Sequence, residues 1–454
     1  MTTEHNVTET LAEFALKAEF ERLPRQVVTV AKQCVLDWLG CTLAGTKDPF
    51  AKILLEEISE QGGNKQASVV GTNVRCTLQQ AALVNGALSH VLDYDDVHLD
   101  MPGHPSAPVV PAALALTELT NATGADFITA VAVAIEVECR IGRLMGPTHY
   151  SHGWNPSGTI GTFGATVAAA RLMHLSIKQL LHALGLAGTQ AAGLQSMIKT
   201  QAMTFHSGRA ASSGVLAASL AAKGMTANNQ VLDCAQGFAA TQSQAVNPSA
   251  ALQGLNKEWR ILDTIFKHHV CCFGAHPALE ATYSSVREHD LAPGDILSVD
   301  AYVSTFINKL CNVTDPQTVP EMKFCIPLNL AMTLTGVDTG DVDSYSLEQI
   351  TRPEIARTKN LVQMHHEPTF PDWQSDVDIH LKDGTTLHGT ANLAEANRDL
   401  ADQDQRLSSK FLNLAGSTLG KSSAAKALDL LRCIEELPDL KTLMALSTFE
   451  KEFQ

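Results

Sequence analysis

The period at which apolar residues recur most constrains how this 454-residue chain can fold. Over residues 25–44, Val27, Val28, Ala31, Val35, Leu36 and Leu39 fall on one helical stripe, and Gly45 supplies a stop. The same spacing predicts helices over 77–92, 108–120, 125–145, 158–175, 176–187 and 208–223. Several are dense in Gly, Ala and Ser, as in GTIGTFGATVAAA and SGRAASSGVLAASLAA, which lets neighbouring backbones approach closely. After about residue 267 the helical period fails. ILSVDAYVST has strand composition, and DVDIHLKDGTTLHGTA alternates apolar and polar residues around Asp383-Gly384, a hairpin signal. Helical spacing returns over 408–446. The predicted fold is therefore mainly α: a large all-helical domain built from both chain ends, residues 1–268 and 401–454, with an inserted smaller α+β domain at 269–400.

Composition narrows the function classes. Hydrophobic residues make up 45% of the chain and aromatic residues only 5%, a balance that suits helix packed on helix. The formal net charge of −15 argues against nucleic acid and against an anionic membrane surface as partners. A small anionic substrate would need a local cationic pocket. The ten cysteines are scattered, form no CxxC knuckle, and suit free thiols in a reducing compartment. Apolar runs such as 128–137 fall short of a membrane span, and MTTEHNVTETLAEFAL has no basic segment ahead of an apolar run. A cytoplasmic protein is expected.

Chemistry concentrates in LDYDDVHLDMPGHPSAPVVPAAL, which holds Asp93, Asp95, Asp96, His98, Asp100 and His104 beside an apolar helix. The Met-Pro-Gly-His-Pro run breaks the helix, so His104 belongs to a loop just before the next one. Three readings suit the cluster: a solvated loop of capping aspartates, a divalent metal site, or an acid/base site in which an aspartate orients a histidine. The spacing matches neither HExxH nor an EF-hand loop. FKHHVCCFGAHPALEA brings Lys267, His268, His269, Cys271, Cys272 and His276 close in sequence; zinc is disfavoured there because adjacent residues point in different directions. GTIGTFG fails the spacing of a dinucleotide loop and follows no strand, so no nucleotide cofactor is expected.

The segments LDYDDVHLDMPGHPSAPVVPAALALTE, GTIGTFGATVAAARL, FHSGRAASSGVLAA and FKHHVCCFGAHPALEA, in that order, resemble the MmgE/PrpD family over nearly the whole chain. The resemblance implies a homodimer with a metal-free, cofactor-free active site between a helical domain and a lid. It also implies chemistry on small polycarboxylates: dehydration of 2-methylcitrate, decarboxylation of cis-aconitate or epimerisation of iminodisuccinate. Asp93, His104 and Lys267 match functional positions of the cis-aconitate decarboxylase branch, and His206 matches a histidine. Asn155, Met203, Cys272 and Leu328 replace that branch's histidine, lysine, histidine and tyrosine.

The resulting expectation is a metal-independent lyase acting beside a carboxylate, with dehydration first and epimerisation, decarboxylation or plain binding as alternatives. His104 paired to Asp93 is the expected acid or base. Lys267 and Arg209 are expected to hold anions, Cys272 or His276 to supply an opposing proton, and Asn155 and His206 to bind substrate. Lys199, one helical turn before Met203 if that stretch is helical, and His149 or His152 are candidate substitutes for the missing groups.

Overall fold

In the computed structural model, which describes residues 6–287, 289 and 291–448, the chain forms two compact units. The first five residues of the N-terminal stretch read above lie outside the described residues. The first unit comprises Met1–Val91, Asp95–Phe266 and Asn397–Gln454; the second comprises Leu92–Tyr94 and Lys267–Ala396.

The first unit is helical: α1 (Val7–Lys17), α2 (Arg25–Gly45), α3 (Pro49–Gln61), α4 (Leu78–His90), α5 (Ser106–Thr120), α6 (Gly124–Ser151), α7 (Pro156–Leu172), α8 (Ile177–Gly188) and α9 (Gln201–Ala222), with a small β1–β2 pair at Ala67–Ser68 and Arg75–Cys76. Helices Leu400–Leu419, Lys421–Arg432 and Lys441–Leu446 complete it. Helix Leu400–Leu419 lies along α2, where the Gln403 amide donates to the Gln33 side-chain oxygen at 2.7 Å. Among the described residues α2 alone has the length and composition to cross a membrane, which the apolar-run reading of the sequence passed over; 83% of that stretch is buried, as a core helix requires. Helix α6 continues past the predicted end at 145 because it kinks at Gly146, whose φ of 59° lies outside the helical region, and resumes at Pro147.

Helix α9 packs on both α4 and α7. It starts at Gln201, seven residues before the expected start at Gly208, because that glycine is an interior contact and not a cap. A Cβ on Gly208 would sit 2.1 Å from the carbonyl oxygen of Leu83 on α4, and one on Gly86 would sit 2.9 Å from the Gly208 Cα. The two backbones touch, which fixes the height at which α9 presents His206.

The second unit is α+β. Strands β3 (Ile296–Ser304), β4 (Val362–Glu367), β5 (Gln374–Leu381) and β6 (Thr386–Asn392) form a mixed sheet in the order β4-β3-β5-β6. β3 runs parallel to β4 and antiparallel to β5, and the β5–β6 hairpin turns at the Asp383-Gly384 pair that the sequence pointed to. Val299, Ala301, Val303, Val377 and Ile379 bury one face, against which helix His276–Arg287 packs. The opposite face is polar: Asp300 accepts from His365 at 2.6 Å and His380 at 2.9 Å.

The α4–α9 contact leaves no room for a methyl group. Gly208→Ala should lower unfolding free energy by about 2–3 kcal/mol in chemical denaturation, whereas truncation of the exposed Ile177 to Ala should cost under about 0.5 kcal/mol.

Candidate active site

Helix α4 opens with a capping box, Thr77 with Gln80, and ends at His90. The chain then loops to α5, whose first turn carries Pro108, where no backbone N–H is needed. Within the helical unit the loop is held at several points. Val97 pairs with Ile265, His98 Nε2 meets the Arg260 carbonyl at 2.7 Å, and Arg260 donates to Asp100 at 2.7 Å. Burial pushes the His98 pKa down, so it serves as a neutral strut. The loop is also tied to α7, because the His104 backbone N–H donates to Ser157 Oγ at 2.9 Å.

The loop and α4 together build an imidazole–carboxylate–imidazole group. Asp95 lies 3.0 Å from His90 Nδ1 and 3.3 Å from His104 Nδ1, and the two rings are 4.3 Å apart between centroids. Burial opposes ionisation of Asp95, yet His104 and His90 outweigh it and hold the carboxyl well below its usual range. Each imidazole that gives its Nδ1–H to Asp95 keeps Nε2 for proton exchange. The His90 side chain is 3% exposed and that of His104 is 17%, so His104 is the one placed to meet a ligand. The expected partner of His104 was Asp93; inside the helical unit its carboxylate is Asp95. His90 was missed altogether, although a histidine ending an apolar helix one turn before an acidic run was the available signal.

Asp96 plays a different part from its neighbour. It meets Ser106 Oγ at 2.5 Å and the Ser106 N–H at 3.3 Å. Burial, then the nearby Asp37, push its pKa up to about 8 despite those hydrogen bonds, so it carries a proton at neutral pH.

Other expected residues of this unit fall into place around the group. His206 faces the first turn of α7, with its Cβ 3.2 Å from where a Cβ on Gly158 would be. Burial, then His90, lower its pKa and keep it neutral, and its Nδ1 has no hydrogen-bond partner among the described residues. Asn155 was expected to bind substrate, but its side-chain oxygen accepts from the Gly158 N–H as the N-cap of α7, leaving only its amide NH2 for a ligand. Arg209 was expected near a helix start; it lies in the third turn of α9 and is exposed. Lys199 precedes α9 with a φ of 72°, so it is not one helical turn from Met203. His149 is no substitute imidazole: it is buried, meets the Gln242 carbonyl at 3.1 Å and Thr159 Oγ1 at 2.8 Å, and burial lowers its pKa to about 4. His152 is exposed.

The α+β unit holds the remaining candidates. Asp93 adopts a φ of 52°, a left-handed conformation that aspartate tolerates better than most residues. Its carboxylate and its carbonyl both accept from Lys267 Nζ, at 2.5 and 2.8 Å. The Lys267 side chain is 1% exposed, so the ammonium expected to hold a substrate anion has its charge met by Asp93. Tyr94 donates to the carbonyls of His268 and Gly340. Cys272 is buried beside Cys311, whose thiol pKa is raised by its hydrogen bond with Cys272 and by burial. His276 begins the helix packed on the sheet; burial, then His269 and Lys267, push its pKa well down, so it is a neutral group. Leu328 is a fully buried core residue, but the unit does hold a buried phenol, Tyr345, which donates to Asn329 at 2.5 Å.

The geometry bears on a metal. The cluster of His98, Asp100 and Asp263 is threaded by Arg260, whose guanidinium lies 2.7 Å from Asp100 and 2.5 Å from Asp263. Asp95 is hydrogen-bonded to His90 Nδ1 at 3.0 Å and lies 3.3 Å from His104 Nδ1. With no recognised metal-ligand spacing in either His-rich segment, turnover should survive prolonged EDTA treatment; a loss reversed by one divalent ion would contradict this. The raised Asp96 pKa has a stability consequence of definite sign. The unfolded chain loses this proton near pH 4 and the folded protein near pH 8, so Asp96 increasingly destabilises the fold as pH rises between them and its cost is constant above. Asp96→Asn should raise Tm relative to the parent by an amount that grows from pH 5 to pH 8.

Comparison with known proteins agrees with this architecture. The MmgE/PrpD N-terminal domain matches residues 9–250, and the MmgE/PrpD C-terminal domain matches residues 269–436. The chain is 28% identical to human cis-aconitate decarboxylase over 470 residues, covering 97% of this chain and 94% of that protein. It is 25% identical to the cis-aconitate decarboxylase of Aspergillus terreus over 97% of this chain and 95% of that one. A cis-aconitate decarboxylase-like protein of Aspergillus oryzae is 30% identical over 63% of each chain. With both domains matched in order across nearly its whole length, the chain belongs to the MmgE/PrpD family.

Proposed function

We propose that this protein is a carboxy-lyase that removes carbon dioxide from a small unsaturated polycarboxylate of the cis-aconitate type, without a metal. The observation that carries the reading is the Asp95-held His104, in a chain similar along 97% of its length to enzymes named for that reaction. The departures at Asn155, Met203, Cys272 and Leu328 placed dehydration first on sequence grounds; similarity to decarboxylases over the full length reverses that order. The ten cysteines are all free, which supports a reducing, cytoplasmic setting.

In this reading the bond to one carboxylate carbon breaks, carbon dioxide leaves, and its electron pair stays on the substrate as an enolate-like anion. A protonated His104 then gives its Nε2 proton to carbon and recovers one from solvent. Asp95 stabilises the imidazolium that precedes this transfer, and the neutral His206 supplies hydrogen bonding and no competing charge. Hydro-lyase activity is the second reading, favoured by Met203 standing where the decarboxylase branch has a cation.

Incubating the purified protein with cis-aconitate and with 2-methylcitrate, followed by NMR, separates the two. Carbon dioxide release from cis-aconitate is expected, falling on the order of a hundredfold to ten-thousandfold in His104→Ala. Loss of water from 2-methylcitrate with no decarboxylation would replace the proposal by the hydro-lyase reading, and no turnover of either would point to a binding protein.

A further inference from the structure

The β1–β2 hairpin, the last turn of α5 and helix Lys441–Leu446 surround a cavity of about 430 Å³ in the helical unit, within the size range of small-molecule sites. His90, Asp95 and His104 do not line it. Leu440 and Met444 give it a buried apolar wall, and Thr117 of α5 lines it while only 2% exposed. The Thr117 hydroxyl has no hydrogen-bond partner among the described residues, whereas Thr120, nearly one turn on, gives its own to the Leu116 carbonyl at 2.8 Å. A hydroxyl enclosed without a partner carries a desolvation cost, which a ligand that supplies the missing bond removes.

The charges of the lining balance: Arg75 and Lys441 are its cations, Glu118 and Asp439 its carboxylates. Both carboxylates are already engaged. Glu118 accepts from the Ser68 N–H at 2.9 Å, from Ser68 Oγ at 2.8 Å and from Arg75 Nη1 at 2.9 Å. Asp439 accepts from the Lys441 N–H at 3.0 Å and lies 3.1 Å from its ammonium. Arg75 keeps capacity to spare. Its Nη1 also donates to Ser68 Oγ at 2.8 Å and its Nη2 to the Gln66 carbonyl at 2.9 Å, so three of its five N–H donors are taken, and the Nε–H and one Nη2–H remain among the described residues. Donors on two neighbouring guanidinium nitrogens match the two oxygens of a carboxylate. The end of α5 has the opposite need. It stops at Asn121, in the left-handed region at a φ of 52°, whose N–H makes no bond back to the helix among the described residues. The last carbonyls of α5, at the negative end of its dipole, therefore favour a positive group.

We propose that this cavity binds a small zwitterion, an α-amino acid with an apolar side chain. Its carboxylate meets the remaining Arg75 donors, its ammonium meets the end of α5 with the Thr117 hydroxyl as an acceptor, and its side chain packs on Leu440 and Met444. A lining without net charge attracts a ligand of one sign only weakly, and a carboxylate or an amine by itself leaves one of the two ends unmet.

The test is methyl NMR on the full chain labelled at methionine, with the Met444 signal assigned through Met444→Leu. Titration with L-leucine, L-methionine or L-phenylalanine should move the Met444 methyl signal saturably. Leucine without its amino group, 4-methylpentanoate, and leucine without its carboxylate, 3-methylbutylamine, should each bind about tenfold more weakly or worse. Arg75→Met should weaken leucine binding by about tenfold, and Thr117→Val by about threefold without lowering Tm, since valine keeps the shape and removes the unpartnered hydroxyl. No shift with any of the three amino acids would overturn the proposal. So would 4-methylpentanoate or 3-methylbutylamine binding as tightly as leucine, which would make this a site for an anion or for a cation. If Arg75→Met does not fold, Thr117→Val decides: unchanged leucine affinity refutes the proposal. The measurement needs no turnover, so its failure is distinguishable from failure of the carboxy-lyase reading.

Discussion

A carboxylate fully withdrawn from water stays ionised only where strong donors or cations meet it, and Asp95 imposes that condition on the helical unit. The fold answers with His90 at the end of α4 and His104 on the loop before α5; elsewhere in the same unit α2 and helix Leu400–Leu419 bury an ion pair, Asp37 with Lys410. The residues of that pair are 373 positions apart in sequence, by subtraction of their numbers. A helical unit assembled from both chain ends is what allows them to meet. The C-terminal helices thereby do more than cover the core: they bring a charge to it.

Rigidity follows from the same requirement. The loop from Asp95 to His104 is long enough to wander, yet it is tied to Arg260, Ile265 and Ser157. His98 and His149, two histidines that looked chemically available, are kept neutral by burial and used as struts, whereas His104 keeps a partly open face. Burial thus separates the histidines of this region into enclosed ones and one with an open face. In the α+β unit Lys267 and Asp93 satisfy each other under the same rule.

Local patterns were legible in the sequence because one segment suffices to express them: the apolar stripe of α2, the hairpin at Asp383-Gly384, the strand at 296–304, and the return of helix after 400. Gly208 misled because a glycine at a helix start and one that lets two helices touch look alike until the partner, here Leu83, is known. The acidic cluster marked the right loop, but pairing within it was hidden. Asp93 and Asp95 are two residues apart yet belong to different units, and sequence spacing does not say which carboxylate turns to which histidine. Asn155 was legible as a polar residue before a proline-started helix, a cap signature that weighed less than its place in the family motif. Lys410 lay on an apolar stripe where only a distant counter-charge makes sense, and nothing near it in sequence named Asp37.

The central claim is that a proton held by the protein at His104 is delivered to substrate carbon. The most direct measurement is the stereochemistry of deuterium in the product of turnover in D2O. Delivery from His104 places one deuterium on a single prochiral position of the newly protonated carbon. Deuterium distributed equally over both positions would mean that the anion is protonated from solution, and would contradict the account.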